Sequence, residues 1–87
     1  ELATIYLQED LTVVGKLANA CDAVIDLPTV SRIHAKIRKK EEGYYLTDMN
    51  SRNGTMVNGR LLLPDEEYRQ QNEDEVDFAQ ARYVFLE

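Results

Sequence analysis

Apolar and polar positions along this chain alternate in short bursts, and no stretch sustains the period of an amphipathic helix. Ala3 to Gln8 (ATIYLQ) alternates and is rich in β-branched and aromatic types, which predicts a first strand. Glu9-Asp10 reads as a turn, and Leu11 to Val14 as a second strand that Gly15 ends. Lys16 to Asp22 has no clear period and reads as a loop, with a short helical turn as the alternative. Ala23 to Leu27 (AVIDL) is a short strand closed by Pro28. From His34 to Lys40 the alternation returns, with Ala35 and Ile37 to one side and Lys36 and Arg38 to the other. Glu41-Glu42-Gly43 is a hairpin signal, and Tyr44 to Asp48 (YYLTD) is the return strand. Asn53-Gly54 and Asn58-Gly59 follow, both strong turn signals because Asn and Gly tolerate positive φ. Leu61 to Leu63 is a short strand ended by Pro64, and Asp65 to Asp74 an acidic connection. Glu75 to Ala79 and Arg82 to Leu86 form a last hairpin turning at Gln80-Ala81.

Some ten short strands with turn chemistry between them predict an all-β sandwich or barrel. At 87 residues there is material for one core and one domain. The hydrophobic share of 44% beside 30% charged residues is that of a folded soluble domain, which sets disorder aside. No apolar run approaches the roughly 20 residues that span a bilayer, so no direct membrane insertion is expected. The chain opens Glu1-Leu2-Ala3 without an initiator Met or a signal-peptide pattern. The expectation is a single domain over residues 1–87, excised from a larger protein.

The net charge of −6 is poor material for a nucleic-acid binder, whose affinity rests on neutralising phosphates along a strand. The charge is unevenly placed, however. Asp65, Glu66, Glu67, Glu73, Asp74, Glu75 and Asp77 face a single Arg69, whereas Arg32, Lys36, Arg38, Lys39 and Lys40 form a run without an acid. An acidic protein can still present one basic face.

Enzyme chemistry finds little support. One His and one Cys cannot furnish a metal site, and there is no Gly-rich phosphate or dinucleotide loop, so no metal and no cofactor are expected. Ser31 and His34 lie three apart, a spacing that puts them on opposite faces of an extended segment, and no orienting acid is evident. A lone Cys21 cannot form an internal disulfide, which favours a reducing compartment: the cytoplasm, or the cytoplasmic side of a membrane-associated parent protein.

Two loops and a strand end remain. Thr29 to His34 (TVSRIH), Asn50 to Thr55 (NSRNGT) and Gly15-Lys16 together offer Lys16, Ser31, Arg32, Arg52 and Asn53, a set of cations, hydroxyls and amides suited to an anion. Phosphothreonine fits that chemistry, with about −1.5 to −2 charges and three strong acceptor oxygens.

In order and spacing these segments resemble the forkhead-associated (FHA) domain. Gly15-Lys16, VSRIHA at residues 30–35, NSRNGT at 50–55 and VNG at 57–59 follow its pattern, and NEDEVDFA and RYVFLE resemble its closing strands. The resemblance spans nearly the whole chain. It implies a SMAD-like β-sandwich of about ten to eleven short strands in two sheets, with ligand loops at one end. It also implies binding of phosphothreonine-containing proteins or peptides in Ser/Thr-kinase signalling of a bacterial kind, without catalysis. On that pattern Lys16, Ser31 and Arg32 contact phosphate, Arg52 stands where a phosphate-contacting Thr or Ser is frequent, and Asn53 bonds the peptide backbone. His34 ties the recognition loop to its neighbours, and Gly15, Gly54, Asn58 and Gly59 brace the loops. Thr29 flanks the region where some members read the third residue after the phosphothreonine. Preference for threonine over serine is implied too, through a small pocket for the γ-methyl.

The chain departs from the pattern twice. Lys16 replaces an Arg, exchanging a planar fork for a point charge, which predicts weaker or less directional phosphate contact unless Arg52 compensates. Glu73 stands where Gly is usual, so a positive φ there would strain the backbone. The alternative to a phosphothreonine reader is an FHA-fold scaffold that binds a protein partner independently of phosphorylation.

Overall fold

The computed structural model describes residues 5–86. Nine strands lie among them: β1 (Leu11–Gly15), β2 (Ala23–Val24), β3 (Ala35–Lys40), β4 (Gly43–Asp48), β5 (Thr55–Val57), β6 (Arg60–Leu61), β7 (Glu67–Arg69), β8 (Glu75–Phe78) and β9 (Ala81–Val84). They form a five-stranded sheet in the order β2-β1-β3-β4-β7 and a four-stranded sheet in the order β6-β5-β8-β9. All pairings between these strands are antiparallel except β1 with β2. No helix of the described residues is long and apolar enough to cross a membrane.

The alternating pattern explains the layers. In β3, Ala35 and Ile37 are buried while Lys36 and Arg38 lie on the opposite face, and β8 buries Val76 and Phe78 in the same way. The inward residues of both sheets, with Val14, Leu46, Val57 and Leu62, make one core. Phe78, Leu46, His34, Val14 and Thr55 are its largest fully buried side chains. His34 and Thr55 stand at the loop end of β3 and β5, so the core continues into the loops.

Turn chemistry sets the register. Glu41 and Glu42 link Lys40 to Gly43 across the β3–β4 hairpin. Asn58 (φ 51°) and Gly59 (φ 83°) link Val57 to Arg60 as a two-residue turn with both central residues left-handed.

Five expectations need correction. The expected first strand lies partly outside the described residues, and residues 5–8 belong to no strand. Ile5 and Leu7 still pack on the core while Tyr6 points to solvent, so the alternation is real without a ladder. The Ala23–Leu27 strand stops at Val24, because Leu27 N–H turns back to the Ile25 carbonyl before Pro28. The Leu61–Leu63 strand is Arg60–Leu61 instead, with Leu62 alone turned into the core. The acidic connection contains β7, which pairs Tyr45 with Arg69 and Thr47 with Glu67. The closing hairpin turns one residue earlier than expected, at Ala79-Gln80, with Ala79 at φ 58°.

Candidate functional site

Three loops meet at the end of the sandwich where β1 and β4 finish and β3 and β5 begin. The middle one, residues 28–34, is held from both sides. On one side Lys16 N–H donates to the carbonyls of Ser31 and Arg32, each at 3.0 Å, and Leu17 N–H to that of Arg32 at 3.2 Å. The Cys21 thiol donates to the same Arg32 carbonyl at 3.2 Å. Burial, the leading cause, pushes the Cys21 thiol pKa up, so it rests as a thiol. Gly15 makes this approach possible: a β-carbon there would overlap the Arg32 carbonyl oxygen and lie 2.9 Å from Cys21 Sγ.

On the other side, Arg52 N–H donates to Ser31 Oγ at 2.9 Å and Asn53 Nδ2 to the Thr29 carbonyl at 2.7 Å. His34 joins the two loops from below. Its Nδ1 accepts the Ser31 N–H at 3.0 Å, so its Nε2 carries the proton and donates to the Gly54 carbonyl at 2.8 Å. The ring also meets Phe78 edge-on, with centroids 6.0 Å apart. The turn over residues 31–34 brings the ring back to Ser31, a correction to the opposite-face expectation. It reaches the backbone amide of Ser31, while the hydroxyl faces the 50–54 loop.

That loop has a brace the sequence reading missed. Asp48, buried at the end of β4, accepts from Ser51 Oγ (2.6 Å), Thr55 Oγ1 (2.7 Å) and Ser51 N–H (3.1 Å). Ser51 Oγ in turn accepts the Gly54 N–H at 3.0 Å. The signal was Asp48-x-x-Ser51 directly after a strand, a spacing at which the carboxylate caps its own turn. Asn50 takes positive φ (57°) here, as does Gly54 (87°); Asn53 does not.

Lys16, Ser31, Arg32 and Arg52 line one open cleft of about 620 Å³, together with Leu17, Pro28, Thr29, Val30 and Ile33. Asn53 stands beside it on the Thr29 side. The Thr29 hydroxyl is buried with no hydrogen-bond partner among the described residues. Asn58 and Gly59 brace a different turn. They sit at the opposite end of β5, where Asn58 Nδ2 donates to Asp74 at 2.9 Å and its Oδ1 accepts the Glu75 N–H at 2.8 Å.

The lining contains three cations and no carboxylate, in a chain of net charge −6. Elsewhere Arg60 pairs with Glu66, Lys40 with Glu67, and Arg82 with Glu75 and Asp77. Among the described residues Lys16, Arg32 and Arg52 take part in none of these pairs. No group of His, Cys, Asp and Glu able to hold a metal occurs among the described residues.

A sequence profile of the FHA domain matches residues 12–79. The chain belongs to the FHA domain family. It is 35% identical over 80 residues to the oxoglutarate dehydrogenase inhibitor of Corynebacterium jeikeium, covering 92% of this chain and 53% of that protein. This FHA domain therefore spans about half the length of that curated relative. Among solved structures it is similar to Mycobacterium tuberculosis EmbR in complex with a low-affinity phosphopeptide. That match has a TM-score of 0.85 at 28% identity and covers 92% of this chain and 20% of EmbR. A second similar structure comes from work on phosphothreonine-dependent FHA domain interactions, with a TM-score of 0.84 at 26% identity over 94% of this chain and 81% of that one.

Proposed function

We propose that this FHA domain binds protein segments carrying phosphothreonine, as a recognition module of Ser/Thr-kinase signalling, and catalyses no reaction. The observation that carries the reading is the convergence of Lys16, Arg32, Arg52 and Ser31 on one cleft with no acid in its lining. Three cations there balance the about −1.5 to −2 charges of a phosphothreonine. Ser31 suits a donor role for a specific reason. A hydroxyl has one O–H donor and two acceptor lone pairs, and the Arg52 N–H occupies an acceptor position. The O–H stays available for a phosphate oxygen.

In this reading Lys16, Arg32 and Arg52 form charge-assisted bonds to phosphate, each contributing about 1.5–3 kcal/mol. Asn53, anchored on Thr29, bonds the backbone of the bound segment. Gly15, His34 and Gly54 hold the loops in register. The γ-methyl of threonine enters the apolar part of the cleft and sets the preference over serine. The domain serves a larger cytoplasmic protein, a setting consistent with its single thiol.

The test is binding of a degenerate phosphothreonine peptide library, with phosphoserine and unphosphorylated controls, to the wild type and to the Ser31→Ala and Arg32→Ala variants. Binding that requires phosphothreonine and weakens at least tenfold in each variant supports the reading. Binding of a protein partner regardless of phosphorylation, with no phosphopeptide retained, replaces it with the scaffold reading.

A further inference from the structure

The cleft uses only Arg32 from the basic run; Lys36, Arg38, Lys39 and Lys40 have no part in it. Alternation along β3 sorts these residues. Ala35 and Ile37 enter the core, so Lys36, Arg38 and Lys40 stand on the outer face of the five-stranded sheet. The register sets Tyr45 beside Arg38 and Arg69 beside Tyr45, one row across β3, β4 and β7. Lys40 Nζ lies 4.6 Å from the centroid of the Tyr45 ring.

Little on this face offsets the charge. Among the described strand residues Glu67 is the one carboxylate there, and Lys40 Nζ takes it at 3.1 Å. Arg69 donates to the carbonyl of Glu42, a neutral group. Glu41 and Glu42 stand at the hairpin tip beyond Lys40, away from Lys36. Lys36 and Arg38 enter no salt bridge among the described residues. Cations gathered in this way repel one another until an anion covers them. The rest of the chain, with a net charge of −6 over the whole, is acidic.

We propose that the outer face of β3, β4 and β7 is a second docking surface, which takes an extended acidic protein segment without need of phosphate. Spacing selects this occupant. Lys36 and Arg38, two residues apart on one strand, are separated by about 6.6–6.8 Å along the sheet. Arg38 and Arg69, two strands apart, are separated by about 9.4–9.8 Å across it. One small anion cannot bridge such gaps. In an extended chain alternate residues share a side and lie about 6.6–7.2 Å apart, the interval from Lys36 to Arg38. Carboxylates at alternate positions therefore meet both cations at once. An anionic bilayer fits less well: the acidic remainder of the chain would be repelled by it, and the row through Arg38, Tyr45 and Arg69 offers no aliphatic side chain to insert.

The experiment follows amide chemical shifts of the domain during titration with an unphosphorylated peptide that carries glutamate at three alternate positions between threonines. A glutamine counterpart is the control. The proteins are the wild type, Lys36→Gln/Arg38→Gln on the sheet face, and Ser31→Ala/Arg32→Ala in the cleft. Expected are shifts in β3, β4 and β7 with the glutamate peptide alone, diminishing as salt is added. Lys36→Gln/Arg38→Gln should weaken binding about fivefold, the loss of two exposed ion pairs, while the cleft variant binds as the wild type does. No binding, shifts confined to the 28–34 and 50–54 loops, or an affinity unchanged in Lys36→Gln/Arg38→Gln overturns the proposal. Two companion measurements can also overturn it. Sedimentation with phosphatidylglycerol vesicles, without peptide binding, would give the face to a membrane. A wild-type dimer that Lys36→Gln/Arg38→Gln dissociates would give it to the acidic turn of a second copy. The phosphothreonine reading stands or falls separately, on the cleft variants and the phosphopeptide library.

Discussion

Gly15 and the Arg32 carbonyl are in such close approach that any β-carbon at position 15 would overlap the oxygen. Gly15 ends β1, Arg32 lies at the centre of the recognition loop, and Lys16 follows immediately with its N–H on the same carbonyl. One missing β-carbon thus fixes how far Lys16 stands from Ser31 and Arg32. Gly15→Ala is expected to destabilise the domain by about 1–3 kcal/mol, the usual consequence of overpacking. It should also weaken phosphopeptide binding even where the domain remains folded. Urea denaturation and a binding isotherm below the transition measure the two effects; an unchanged affinity would show that Lys16 does not need this spacing.

His34 carries two loops on one ring. His34→Ala leaves the Gly54 carbonyl and the Ser31 N–H without their partner and opens a cavity beside Phe78. The expected loss is about 3–5 kcal/mol, a large part of the stability of a small domain. Thermal denaturation reads the loss. Amide chemical shifts should move at both Ser31 and Gly54, on separate loops.

Lys16→Arg is expected to tighten phosphopeptide binding by about threefold to tenfold. The guanidinium offers a planar fork to two phosphate oxygens where the ammonium offers a point charge. Isothermal calorimetry on one phosphothreonine peptide decides it, and a weaker complex would mean that Arg52 already fills the place of the fork.

Binding should fall as the pH drops through the second ionisation of the phosphate, near 6. The sign follows from the cleft: three cations favour the dianion, so the bound phosphate has the lower pKa. Affinity is then full above the pKa of the free peptide and declines from about pH 6 downward. Titrations at several pH values between 5 and 8 measure this, and a flat profile would argue that the monoanion binds equally well.

Glu73 adopts φ 71°, a conformation that disfavours a side chain. Its N–H bonds the Phe85 carbonyl at 2.7 Å, which holds the turn in place. Glu73→Gly is expected to stabilise the domain by about 0.5–1 kcal/mol, relief of strain outweighing the added freedom of the unfolded chain. A rise of a few degrees in Tm, with phosphopeptide affinity unchanged, is the measurable result.

The all-β architecture, the β3–β4 hairpin, the β5–β6 turn and the three loops of the site were legible in the sequence. Each depends on local chemistry: alternation of side chains, the hairpin signal at Glu41-Glu42-Gly43, or the positive φ of Asn58-Gly59. Other features needed distant partners. Glu67-Tyr68-Arg69 becomes β7 only because β4 presents Tyr45, Leu46 and Thr47 to it, and so short a charged segment carries no period of its own. Ile5 to Gln8 alternates without pairing, since alternation determines where side chains go and a ladder requires a second backbone. The candidate residues themselves were named from motifs, with no measure of their separation. Only the tertiary structure set Lys16, Arg32 and Arg52 around one cleft, placed Asp48 beneath the 50–54 loop, and sent Asn58 to the far end of β5. The physical reason is that convergence here rests on single long-range contacts, Gly15 against Arg32 and the His34 ring on the Gly54 carbonyl, whose partners are distant in the chain.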